Sequence, residues 1–190
     1  MEAGRKFAGR TGQFKGIADI AKGDIMFKVG EYVVYGNKGV CQIKSVGPID
    51  MPGVPKDKEY YTMSQVYLRG STIFTPVDND TKALRKILTK KQAKQLISEF
   101  KNIEPSWIKD DKERDKIFTD ILRTADCKEL CNMIVSLYHR KEERIAGGKK
   151  ATSTDERYFH AAEDILLGEL GIALGVDKDK AREYIIESYG

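Results

Sequence analysis

Apolar residues follow two different rhythms along this chain. From Tyr32 to Ile87 they fall in short β-branched and aromatic runs bounded by Gly, Pro and Asn. Beyond Leu88 they recur every three or four residues. Tyr32–Tyr35 and Val40–Val46 flank Gly36-Asn37-Lys38-Gly39, which predicts a hairpin whose glycines supply the backbone freedom a tight turn needs. The stretch from Gly47 to Pro55 is too rich in Pro and Gly for regular structure. Glu59–Leu68 reads as a longer strand, and Thr72–Thr75 as a short one that Pro76 ends, because proline donates nothing to a ladder. Ala83–Ile87 is placed to close the sheet. Five short strands within about 63 residues predict a small antiparallel Tudor- or SH3-like β-barrel.

The second rhythm predicts an all-α bundle of about five helices, so the fold class is α+β. Thr89 is set to cap a helix carrying Ala93, Leu96, Ile97 and Phe100 on one face, and Pro105-Ser106-Trp107 breaks the pattern. A second helix turns Ile117, Phe118, Ile121 and Leu122 inward. Asp126 with Glu129 resembles a capping box ahead of a third helix, with Leu130, Ile134, Leu137 and Tyr138 as its apolar stripe. Ser153 with Glu156 predicts the start of a fourth, bearing Phe159, Ala162, Leu166 and Leu170. Asp177 opens a short last helix with Ala181, Tyr184, Ile185 and Tyr189. The change of period near residue 88 divides the chain into a β-domain at 26–88 and a helical domain at 89–190. Residues 1–25 keep neither period and read as an upstream extension.

Composition narrows the function. Of 190 residues, 41% are hydrophobic and 33% charged, as in a soluble globular protein. No apolar run approaches the roughly 18 residues of a membrane span, and residues 1–25 lack the apolar centre of a secretory signal. Cys41, Cys127 and Cys131 follow no framework spacing, which favours a reducing cytoplasm. Lys and Arg outnumber Asp and Glu by two in 1–25 and by three in 26–88, whereas 89–190 carries a net −1. A protein living on phosphate contacts alone is far more basic, so any nucleic-acid contact here is a local patch supported by another protein.

Catalytic constellations are missing from the pattern. His139 and His160 sit in no metalloprotease or nucleophile motif. Cys127 and Cys131 share a helix face but lack two further zinc ligands at suitable spacing, and read as two small half-buried thiols. Gly147-Gly148-Lys149-Lys150 follows a helix rather than a strand, so it is a solvated hinge and not a phosphate loop. No enzyme, metal, cofactor or small-molecule substrate is expected. Trp107 is the only tryptophan, it lies off any apolar stripe, and Lys109 and Lys112 follow it. It reads either as an anchor at a helix junction or as an apolar wedge for the minor groove of an opening duplex.

Met26–Ile43, Tyr60-Tyr61, Gly70–Asn79 and Ile165–Leu170 together resemble the CarD/CdnL family of bacterial transcription factors. The β-half alone also resembles the polymerase-interacting module of transcription-repair coupling factors. The resemblance implies a β-domain that docks on the β subunit of bacterial RNA polymerase by strand addition. It implies a helical domain that stabilises the open promoter complex, wedging a tryptophan into the minor groove at the upstream edge of the −10 region. Trp107 occupies that place, and Lys109 and Lys112 match basic DNA-contacting positions that hold phosphates without reading sequence. Ile49, Thr72, Ile73, Phe74 and Thr75 match the polymerase-binding positions. Phe74 and Ile49 stand where better-known members carry arginine, and Ala161 where they carry a basic residue. The implied location is the cytoplasm, at the nucleoid through polymerase. The alternative is an adaptor that binds polymerase and never touches DNA.

Overall fold

The computed structural model describes residues 27–78 and 84–189. The expectations for residues 1–25, for the Ala83 end of the fifth strand and for the Tyr189 side chain lie outside the described residues. Five strands come first: β1 (Tyr32–Tyr35), β2 (Val40–Gly47), β3 (Tyr60–Gln65), β4 (Ile73–Pro76) and β5 (Leu84–Lys86). Five helices follow: α1 (Lys90–Phe100), α2 (Asp111–Thr124), α3 (Cys127–Ala146), α4 (Ser153–Leu174) and α5 (Lys178–Tyr189). The class is α+β. No helix among the described residues is long and apolar enough to cross a membrane.

All strand pairs are antiparallel and the order is β4-β3-β2-β1-β5. The arrangement is broadly Tudor-like without closing into a barrel. The fifth strand does not seal the sheet against β4. It pairs with β1, Val34 opposite Arg85, and leaves β4 at the other edge. β1 and β2 are joined by a short 3-10 turn at Gly36–Lys38, in which Tyr35 N–H donates to Gly39 O at 2.9 Å. The ladder shifts register between Ile43 and Ser45, a bulge that bends β2.

Val33 and Val34 are both fully buried, although side chains of neighbouring strand residues leave opposite faces. Val33 joins Phe27, Cys41, Ile43, Tyr61 and Met63 inside the β-half. Val34 and Val40 instead join a cluster with Phe118, Ile121, Leu130, Met133, Leu137, Tyr158, Ala162 and Ile165 from the helices. The sheet is therefore covered on both faces, and the helices supply one cover. This explains why β1 lacks a polar face.

Most helix starts match the expected caps. Thr89 forms a reciprocal capping box with Gln92, and Asp126 accepts the Lys128 and Glu129 amides. α4 starts one residue earlier than expected: Thr152, not Ser153, caps it, accepting from the Asp155 amide. The predicted strand Glu59–Leu68 ends at Gln65, and the rest turns away to pack Tyr67 on α4. The Tyr67 hydroxyl donates to Gly168 O at 3.1 Å, and the Lys178 ammonium sits 4.1 Å from its ring centre. A Cβ at Gly168 would lie 3.0 Å from the ring, so only glycine leaves that berth open without a shift.

One buried ion pair ties the two halves together. Glu169 lies in the apolar stretch Ile165–Leu170 of α4 and is fully buried. Both its oxygens accept from the Arg85 guanidinium at 2.6 Å. It also accepts the Leu88 amide at 2.9 Å and the Cys127 thiol at 3.2 Å. Arg85 donates further to Ala125 O, at the left-handed end of α2 (φ 51°). Burial disfavours the guanidinium charge, but Glu169 more than offsets this and holds the Arg85 pKa above its ordinary value. Burial also pushes the Cys127 thiol well up, with the Glu169 charge adding to it, and burial does the same at Cys131. Neither thiol is half-buried as expected; both are buried, protonated and poor nucleophiles.

Removing one partner of such a pair leaves an uncompensated buried charge. Glu169→Ala is expected to cost on the order of 3–5 kcal/mol, measured as a shift in the urea midpoint. An unchanged midpoint would mean that the pair contributes nothing net.

Candidate polymerase and nucleic-acid surfaces

β4 is an edge strand, and its register decides what that edge presents. Val77 N–H donates to Glu59 O at 2.9 Å, which makes 59/77 a hydrogen-bonded pair. Antiparallel pairs alternate, so 61/75 and 63/73 are also hydrogen-bonded, and 62/74 is not. The amide and carbonyl of Phe74 therefore point away from β3, toward the open edge. Pro76 is also in an outward-facing position, where its missing N–H costs the sheet nothing. The edge thus offers a donor and an acceptor at Phe74 and ends at Pro76.

Side chains divide the same way. Phe74 is 40% exposed, Thr72 is exposed, Ile73 is half-buried and Thr75 is buried. Of the expected polymerase-facing strand residues, Phe74 and Thr72 look outward, whereas Thr75 belongs to the interior. Ile49 is half-buried, two residues beyond the end of β2. Because Gly47 pairs with Tyr60 and Tyr60 with Pro76, Ile49 emerges at the end of the sheet where β4 finishes.

Trp107 sits in the segment between α1 and α2 and is 50% exposed. Backbone bonds hold this segment on α3: Asn132 Nδ2 donates to Glu104 O at 3.1 Å, and Ser106 N–H donates to Ser136 Oγ at 2.8 Å. Around the base of the indole lie Ile108, Arg114, Phe118, Leu137 and Arg140, enclosing a depression too small for more than about one water. Below it, the buried Asp155 at the start of α4 accepts from Arg140 at 3.0 Å and faces Arg114 at 3.6 Å. Arg114 also pairs with Asp111 at 2.7 Å. The three helices α2, α3 and α4 are cross-tied directly beneath an exposed ring. The ring is half exposed above this cross-tied base.

Lys109 and Lys112 are exposed beside Trp107. The neighbouring carboxylates are largely occupied within the fold: Asp110 caps α2, Asp111 pairs with Arg114, and Asp115 accepts from Tyr158. Trp107, Lys109 and Lys112 are exposed within six consecutive residues of the helical half, whereas Phe74 and Thr72 are exposed on the sheet edge. Sequence reading missed Arg85, Tyr67, Asp155 and the role of Glu169. For the Arg85–Glu169 pair the available signal was Glu169, a carboxylate inside the apolar run Ile165–Leu170, since Asp and Glu are almost never fully buried unless paired. Among the described residues no group of three or more His, Cys, Asp or Glu could hold a metal ion.

Residues 27–88 match the family model of the CarD-like/TRCF RID domain. The chain is also 21% identical over 160 residues to a Bacillus subtilis (strain 168) protein named "Putative transcription factor YdeB". That similarity covers 84% of this chain and 99% of the relative.

As the only tryptophan, Trp107 reports its own environment. Native protein is expected to show red-shifted emission strongly quenched by iodide. Blue-shifted emission resistant to quencher would return Trp107 to the role of a buried anchor.

Proposed function

With residues 27–88 forming a CarD-like/TRCF RID domain, we propose that this chain binds RNA polymerase through its sheet edge and stabilises the open promoter complex through Trp107. The domain match and the similarity to a transcription factor support a role in transcription regulation. In the finer reading, the division of labour follows the division of the chain near residue 88. The β-half adds its β4 edge to the β subunit of polymerase, with the outward amide and carbonyl of Phe74 making the main-chain bonds and its ring filling an apolar pocket. Phenylalanine in place of a charged side chain makes this contact depend on apolar burial and strand pairing.

The helical half then brings Trp107 to the minor groove at the upstream edge of the −10 region. An aromatic wedge between base steps gains stacking and apolar burial only where the duplex is bent or parted, so it favours the open state over the closed one. Lys109 and Lys112 take the flanking phosphates and position the ring without reading sequence. The observation that carries this reading is the half-exposed indole on a cross-tied base. Net charge of −1 over 89–190 gives little affinity for DNA alone. Tethering through polymerase raises the effective concentration and makes a weak contact sufficient.

Two substitutions test the two contacts separately. Trp107→Ala is expected to leave polymerase affinity intact and to shorten the open-complex lifetime five- to hundredfold, from about 1–3 kcal/mol of stacking. Phe74→Asp is expected to weaken polymerase binding roughly tenfold, as for a central interface aromatic. Polymerase binding with an open-complex lifetime unaffected by Trp107→Ala would leave a protein adaptor without DNA contact.

A further inference from the structure

We propose that the lysine face of α1, formed by Lys90, Lys94 and Lys101, is a second DNA surface that grips the phosphate backbone of duplex flanking the Trp107 contact. The inference rests on the DNA-contacting reading of the helical half and extends it to an element that reading leaves unused. At about 100° per residue, Lys94 and Lys101 lie within roughly 40° of Lys90 on the helix surface. Their Cα atoms span about 16 Å along the axis, or about five steps of 3.4 Å along one DNA strand. The adjoining side of α1, with Ala93, Leu96 and Phe100 roughly 60° to 120° round the helix from Lys90, is buried against α4 and α5.

Two observations set this face apart from an ordinary solvated one. On the other helices the exposed cations Arg123, Lys141 and Lys180 are paired with Asp120, Glu156 and Glu183, and Arg182 with Glu163 and Asp179, while Lys112, Lys116 and Arg157 stand without an ion pair among the described residues and not three together on one face. Lys90, Lys94 and Lys101 are all exposed, and none has an ion-pair partner among the described residues. Glu99, the only carboxylate of α1, is about 180° from Lys90 and is bonded to Gln95. On the packed neighbours α4 and α5, Glu187 is the carboxylate left without a cationic or capping partner among the described residues.

The second observation is local electrostatic conflict. α2, α3, α4 and α5 each place acidic residues in the first turn, where the positive end of the helix favours them. α1 has none there and begins with Lys90 and Lys91. Those two charges add to the helix field instead of opposing it. They disfavour the isolated helix and concentrate positive potential for a polyanion. An arrangement that works against local stability is expected where function needs it.

The face is also suitably placed in the chain. Lys101 is the C-cap of α1, and the six residues from it to Trp107 span at most about 21 Å when extended. Lysines make point-charge contacts with phosphates and read no base, so the ligand is duplex DNA of any sequence.

The test uses the full chain, labelled at its N-terminus, titrated with RNA polymerase alone and with polymerase on promoter DNA over a series of KCl concentrations. Promoter DNA is expected to raise the affinity. In K90Q/K94Q/K101Q this gain falls on the order of tenfold and the log–log salt slope shrinks by about 2–3, at 0.9 per phosphate contact. Binding to polymerase alone stays unchanged. The matching Lys→Arg triple retains the gain, which separates charge from folding, and Trp107→Ala loses affinity while keeping the salt slope. An unaltered gain and slope in the Gln triple would overturn the lysine face and leave Trp107 standing. Equal loss on polymerase without DNA would assign the face to a protein partner and also overturn it. No gain from DNA in the unmodified chain would remove the DNA-contacting reading itself.

Discussion

The bidentate bond between Arg85 and Glu169 is the constraint on which the architecture rests. It joins the last strand to the C-terminal half of the longest helix, and the same two side chains reach the end of α2, the start of α3 and the backbone entering α1. A carboxylate at zero exposure is tolerable only because every partner is in place. Loss of any one element would strand a charge, so the elements hold together as a unit. Tyr67 on Gly168 adds a second fastening one residue away on the same helix. Apolar packing of Val34 and Val40 against the helices fills the space between them.

This fastening bears directly on function. Under the proposed function, with polymerase on one half and DNA on the other, tethering helps only if the geometry lets both contacts form together. The outward edge of β4 and the half-exposed Trp107 belong to opposite halves of the chain. Their relation is set by the joint between those halves, and that joint is cross-linked by polar bonds of fixed direction as well as by non-directional burial. The cross-tied arginines beneath Trp107 serve the same end at shorter range: Asp155, Arg114 and Arg140 hold three helices under an exposed ring. A ring so mounted loses less freedom when it meets its target.

The thiols show how strongly environment rules chemistry here. Cys127 lies near an arginine, which by itself would favour thiolate, yet burial and the Glu169 charge dominate and keep it protonated. Two cysteines four residues apart become part of the interior, where they behave as small apolar side chains.

Much of the fold was legible because local rules suffice for it. The turn residues Gly36–Gly39, the period change near Leu88, and the caps Thr89, Asp126 and Asp177 each act over a few residues. Thr152 displaced Ser153 as a cap because both are adjacent hydroxyl residues, and only the helix entry angle chooses between them. Strand order was not legible. Whether β5 meets β4 or β1 depends on contacts distant in sequence, and β1 won by offering a free edge beside the helices. For the candidate site, the sequence by itself determined the residue types: one tryptophan with lysines after it, and a short strand stopped by Pro76. Only the tertiary structure decided that Phe74 faces out while Thr75 faces in, that Trp107 is presented rather than buried, and that Glu169 finds Arg85. Exposure, edge position and charge pairing are properties of what surrounds a residue, and those surroundings come from segments as far as 84 and 101 residues away.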